Sequence, residues 1–187
     1  MSYPEPDPDV PGARVSELRI PDGDLGILLT VWQMRHLVRI GAKDPLLVGT
    51  AASIVRSSDG SSLGAAEAIR DFLESRVRFE YDPPIEHADG TVEGTELLKS
   101  PRYMLREIEA HGVATGDCDD VAILGAALGR AAGLPARFAL LAFTVGAPYE
   151  HVYTELLTAA GWVELDTTRP FQLPSGLRIV RETRKEA

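Results

Sequence analysis

The segment from Gly116 to Arg137, GDCDDVAILGAALGRAAGLPAR, constrains this 187-residue chain more than any other. It specifies an apolar helix from about Cys118 to Ala132, with Asp117 at the N-cap, Gly133 at the C-terminal cap and Pro135 just beyond. ARFALLAF, HVYTELL and GWVELDT then read as strands, so the chain changes from mostly helix to mostly antiparallel strand near Pro135. The class is α+β, with N-terminal helices, a central helix carrying the cysteine, and an antiparallel sheet on which that helix packs.

Upstream, VWQMRHLVRI has helical spacing, with Thr30 as N-cap and Gly41 as its end. Asp44 caps a second helix whose first position takes Pro45, and which runs to about Arg56 before the loop SDGSS. GAAEAIRDFLESRV is a third helix, Arg78 to Tyr81 a short extended piece ended by prolines, and HADGTVEG a loop. Ser100 and Pro101 start a fourth helix that stops at Gly112. The glycines of GAALGRAAG fall within and at the end of a helix, not after a strand, which excludes a dinucleotide loop. With no internal repeat, residues 15–175 form one domain between a flexible acidic, proline-rich arm, 1–14, and a mixed-charge tail, 176–187, expected to fray.

One cysteine excludes an intrachain disulfide framework and any multi-thiolate metal site. Nineteen basic against 28 acidic residues give a net charge of −9, which repels nucleic acid and anionic membranes. The N-terminus lacks the basic and apolar regions of a signal peptide, and no apolar run approaches the roughly 20 residues of a membrane span. The expected location is cytoplasmic or virion-associated.

A nucleophilic thiol needs a base, a group that orients the base, and donors for the oxyanion. Cys118 in a first helical turn meets unsatisfied N–H groups and a dipole that favour the thiolate, and its own N–H can face an oxyanion. Asp117, Asp119 and Asp120 oppose that charge, so an imidazolium is required; as residues at a helix start the three read as caps and dipole partners. Of the histidines at 36, 87, 111 and 151, only His151 lies in a strand, on its more polar face with Tyr153 and Glu155. If Thr158 to Gly161 closes a hairpin, Leu157 faces Trp162, Tyr153 faces Asp166, and His151 becomes the diagonal neighbour of Asp166 on the same face. The chain has no asparagine, and its glutamines are Gln33 and Gln172, so the orienter is a carboxylate. The reading is a Cys118, His151, Asp166 triad with Tyr153 and Trp162 packed around it.

GDCDDVAILGAALGRAAGLPARFAL, EHVYTEL and GWVELDTT resemble the three signature blocks of the transglutaminase-like cysteine peptidase superfamily. The resemblance implies a papain-like α+β fold, Cys118 as nucleophile, His151 as base, Asp166 as orienter, and neither metal nor organic cofactor. In the eukaryotic crosslinkers of that superfamily an upstream indole serves the oxyanion. The corresponding stretch here is RFEYDPP, which offers the phenol of Tyr81, and Tyr103 on the helix before GDCDD is the competing candidate. The short form with N-terminal helices also resembles phage- and prophage-encoded members.

The expected activity is cysteine-dependent amide hydrolysis or acyl transfer through a thioester. A peptidase or amidase is favoured over a crosslinker because water needs no dedicated acceptor site. The partner is then a peptide or protein substrate. The alternative is a phage virion or assembly component, with phage structural proteins as partners, that uses the scaffold as a non-catalytic binding module.

Overall fold

The computed structural model describes residues 5–6, 14–15, 20–21, 23–86, 89–93, 96–168 and 179–187. Most of the arm expected over 1–14 lies outside them; within it, β1 (Glu5–Pro6) pairs antiparallel with β2 (Arg14–Val15).

Helix α1 (Asp24–Gly41) begins seven residues before the start expected with Thr30 as N-cap. Its N-cap is Gly23, at φ 74°, with no side-chain cap. The leucines at 25, 28 and 29, with Asp24 favourable in the first turn, carry the helix through the capping signal of Thr30. Helix α2 (Pro45–Val55) starts as expected: Asp44 Oδ1 accepts from the Leu46 N–H at 2.8 Å and Pro45 takes the first turn. Helix α3 (Ser62–Arg76) is capped by Ser61, which accepts from the Gly64 N–H.

Next come β3 (Val77–Phe79) and a two-residue ladder, β4 (Ile85–Glu86) with β5 (Val92–Glu93), whose second strand falls in the stretch expected as a loop. His87 lies outside the described residues. Helix α4 (Pro101–His111) has its Ser100 cap and stops at Gly112, left-handed at φ 83°. Strand β6 (Ala114–Gly116) then pairs parallel with β3 across that helix.

Helix α5 (Cys118–Ala131) is buried from Asp119 to Gly129. Helices α1 to α4 contact it on one side, and β7 (Ala136–Ala142) and β8 (His151–Thr158) on the other. Two glycines one turn apart bring it against the sheet. A Cβ on Gly129 would stand 2.3 Å from Leu156 Cδ2, and one on Gly125 would press on Leu73 at 3.1 Å while only touching Leu165 and Thr154. Thr154 donates its hydroxyl to the Ala122 carbonyl at 2.6 Å, which locks the approach. Met34, Leu47, Leu73, Ile123, Leu128 and Leu156 fill the space between the layers.

Strand β9 (Gly161–Leu165) continues β8 as a hairpin, and β10 (Arg181–Glu186) completes an antiparallel sheet of order β10-β7-β8-β9. The tail expected to fray is therefore a strand from Arg181 to Glu186. An edge position accepts its charges, and Arg184 anchors it on the buried Glu155 at 2.9 Å. Together these elements make the α+β fold expected from the sequence. Among the described residues no helix is long and apolar enough to cross a membrane.

Candidate active site

Cys118 is the first residue of α5, and the strand leading into it is clamped on two sides. The Glu80 N–H donates to the Gly116 carbonyl at 3.0 Å, extending the β3–β6 ladder. Lys99 Nζ donates to the Thr115 carbonyl at 2.7 Å and to its hydroxyl at 3.2 Å. The Lys99 N–H donates to Asp120 Oδ1 at 2.6 Å, so the segment before α4 is tied directly to the first turn of α5.

His151 is the first residue of β8, opposite Leu141 of β7. The hairpin has the expected register, with Leu157 facing Trp162 and Glu155 facing Glu164, except that Thr158 and Gly161 themselves pair, leaving a two-residue turn. Asp166 follows β9 directly. Its Oδ2 lies 2.9 Å from His151 Nε2, and both side chains are essentially inaccessible, at 0% and 1% exposure. That bond leaves Nδ1 as the ring nitrogen not taken by Asp166, and the Cys118 sulfur is near enough to the ring to favour its charged form. The structure therefore brings Cys118, His151 and Asp166 together. Although α5 packs on the face of β8 that carries Thr154, thiol and imidazole meet because each opens its element.

Burial opposes a charge on His151, yet Asp166 and Cys118 outweigh it and push its pKa up to about 9. At neutral pH the ring is thus held as imidazolium, the charge that a thiolate needs beside it. Phe143 and Tyr153 rings flank the imidazole, their centroids 6.5 and 6.2 Å away. Trp162, expected near the site, is at the other end of the hairpin, where its ring carries the Arg137 guanidinium at 3.9 Å. The reason is register: Trp162 pairs with Leu157, six residues along β8 from His151.

The three aspartates around Cys118, read from the sequence as caps and dipole partners, are set more deeply than that reading implies. Asp117 occupies the N-cap without a side-chain cap bond, and Asp119 and Asp120 are buried. Burial, reinforced by Glu96, Asp117 and Asp120, holds Asp119 well above the usual carboxylate range. Asp120 is raised by burial and by Asp117 and Asp82, against the Lys99 N–H bond and charge. Asp82 accepts from the Leu97 N–H and is itself pushed up to about 6, by burial and then by Asp117 and Glu96. Ligand atoms of Asp117, Asp119 and Asp120 all lie within 4.8 Å of one another, so these are the residues that could hold a hard, oxygen-preferring cation. The density of acid in GDCDD was the available signal; that Asp82, Glu96 and Lys99 converge on it was not.

Of the oxyanion candidates, Tyr81 follows β3 just past the Glu80–Gly116 bond, 66% exposed and edge-on to Phe79 at 4.8 Å. Tyr103 is half-buried in the first turn of α4, with Lys99 Nζ 5.9 Å from its ring centre. His36 and His111 lie elsewhere, His36 beside Arg39 and His111 at the end of α4.

A profile of the transglutaminase-like superfamily matches residues 49–167, which include α5, the β8–β9 hairpin and all three converging side chains. The chain belongs to the transglutaminase-like superfamily. Among solved structures, a candidate protease from Parabacteroides distasonis aligns with a TM-score of 0.51 at 14% identity, over 73% of this chain and 26% of that one. A candidate cysteine protease from Cytophaga hutchinsonii aligns with a TM-score of 0.47 at 24% identity, over 73% of this chain and 41% of that one. This transglutaminase-like chain thus spans well under half the length of either. No curated protein matches it significantly.

Proposed function

We propose that this transglutaminase-like protein is a cysteine-dependent amide hydrolase acting on a peptide or protein, with Cys118 as nucleophile, His151 as acid and base, and Asp166 as orienter. The observation that carries the reading is the buried Asp166–His151 bond at 2.9 Å, on a ring whose charged form the neighbouring thiol also favours. Asp166 on Nε2 fixes the ring so that Nδ1 exchanges a proton with sulfur.

In the forward step the Cys118 thiolate forms a C–S bond to the amide carbonyl, whose π electrons pass to oxygen. The Cys118 N–H, at a helix start without an intrahelical partner, is one donor for that oxyanion, and the phenol of Tyr81 or Tyr103 is the second. Collapse breaks the C–N bond, and His151 gives its proton to the departing amine. The neutral imidazole then takes a proton from water as its oxygen forms a C–O bond to the thioester carbonyl; collapse breaks the C–S bond, releases the carboxylic acid and restores the thiolate–imidazolium pair. An amine in place of water would give acyl transfer, but hydrolysis requires no second bound partner.

A quenched fluorescent peptide library tests this, with intact-mass detection of an acylated protein. Wild type cleaves and transiently gains the acyl mass; Cys118→Ala does neither. Cleavage that survives Cys118→Ala overturns the proposal. Phe at 81 or at 103 separates the two phenols, since losing one oxyanion donor costs about 10²-fold in rate.

A further inference from the structure

The face of α1 turned away from the core is apolar. Leu25, Leu28, Leu29 and Trp32 are 59%, 53%, 37% and 62% exposed, and Ile40 adds 49% a further two turns on. The opposite face, with Val31, Met34 and Val38, is buried in the core. A helix apolar on both faces is the pattern of an element with two packed surfaces, and among the described residues only one is packed. We propose that the outer face of α1 is an isologous interface, on which a second copy of this chain packs its own α1 antiparallel about Trp32.

Charge chooses this occupant. Asp24 is exposed at the start of the helix, and Arg35 and Arg39 are exposed near its end. A twofold axis through Trp32 brings Leu25 of one copy opposite Arg39 of the other. The arginine stem then covers leucine while its guanidinium reaches the neighbouring Asp24. A parallel pair would instead set Arg39 against Arg39. Asp24 is free to take that partner, since its present contact, Arg181 at 3.4 Å, is long and solvent-exposed. A lipid surface is a poor alternative: α1 mixes both signs, and the chain carries −9. Trp32 stacks on His36, with centroids 6.2 Å apart and planes 14° apart, which gives the centre of the stripe a flat, ordered ring.

The stripe from Leu25 to Ile40 is about 22 Å long and one helix wide, a small face beside the roughly 800 Å² per partner of a standard interface, and the association is expected in the micromolar range. Sedimentation velocity of the full chain, from about 1 µM to about 300 µM, reads this directly. The weight-average mass rises towards twice the monomer with concentration. Trp32→Lys holds it at the monomer value while retaining the helical circular dichroism of the wild type. Asp24→Arg and Arg39→Asp each weaken association about tenfold, and the double variant regains it. A monomer throughout the range overturns the proposal, as does a dimer indifferent to Trp32→Lys, or a double variant no better than the singles.

Discussion

Gly116 and Asp120 share space that a side chain on the first would deny to the second: a Cβ on Gly116 would lie 2.7 Å from Asp120 Oδ2. The carboxylate so accommodated holds the Lys99 N–H and anchors the segment before α4 to the first turn of α5. Gly116→Ala is expected to displace it and to destabilise the protein by about 1–3 kcal/mol, the ordinary cost of overpacking. Because the displaced group is two residues from Cys118 in the same first turn of α5, peptide cleavage falls as well. Thermal denaturation and steady-state rates check the two effects; a variant as stable as wild type contradicts the packing argument.

Cys118 should react rapidly with iodoacetamide across neutral pH, because the imidazolium beside it persists up to about pH 9. His151→Ala removes that charge and is expected to slow alkylation at pH 7 by about tenfold or more. Asp166→Asn leaves the ring in place but weakens its hold on a proton, so its rate lies between the two. Equal rates for wild type and His151→Ala would show that the two side chains are not coupled.

The same raised value fixes a sign for stability. His151 gains protons on folding, so its contribution is fully present below pH 6.5 and is lost as pH rises through about 9. Between those limits the wild-type Tm falls, and Asp166→Asn, which lacks the principal source of the shift, shows a shallower slope. Calorimetry at fixed ionic strength distinguishes them.

The buried acids predict a slope beginning at lower pH. Asp119 is raised above 3.8 in the fold, so the native state holds a proton there that the unfolded chain releases, and stability declines as pH climbs from about 4. Asp119→Asn cannot ionise and is expected to flatten that part of the curve and to raise Tm at pH 8. The measurement is made in EDTA, so that no adventitious cation replaces the proton. A lower Tm for the variant at pH 8 would contradict the assignment.

A Cβ added at Gly129 would stand 2.3 Å from Cδ2 of the buried Leu156. Gly129→Ala should cost about 1–3 kcal/mol despite the better helix propensity of alanine. Combined with Leu156→Val it should cost less than the sum of the two changes, a coupling that a double-mutant cycle in urea measures.

The sequence makes some of these relationships plain and hides others, for a physical reason. The β8–β9 pairing is readable because side-chain alternation and one short turn fix its register; from that register His151 and Asp166 follow. The caps at Asp44 and Ser100, and the left-handed glycine at 112, are local backbone chemistry and equally legible. The start of α1 is not, because a threonine that can cap competes with leucines that continue the helix. Strand β10 has no apolar alternation, since an edge strand held by Arg184 on Glu155 needs none. The convergence of Asp82, Glu96 and Lys99 on α5 joins segments some 20 to 35 residues apart in the chain, and no periodic pattern records it.

The imidazole and carboxylate ride on one hairpin, whereas the sulfur rides on the tip of a helix whose lead-in strand belongs to a separate parallel ladder. The first pair therefore travels together in any local opening, and the thiol is the member that parts from it. Mild denaturant should consequently silence turnover while the hairpin amides still resist hydrogen exchange, making loss of catalysis an early reporter of that seam loosening and not of global unfolding.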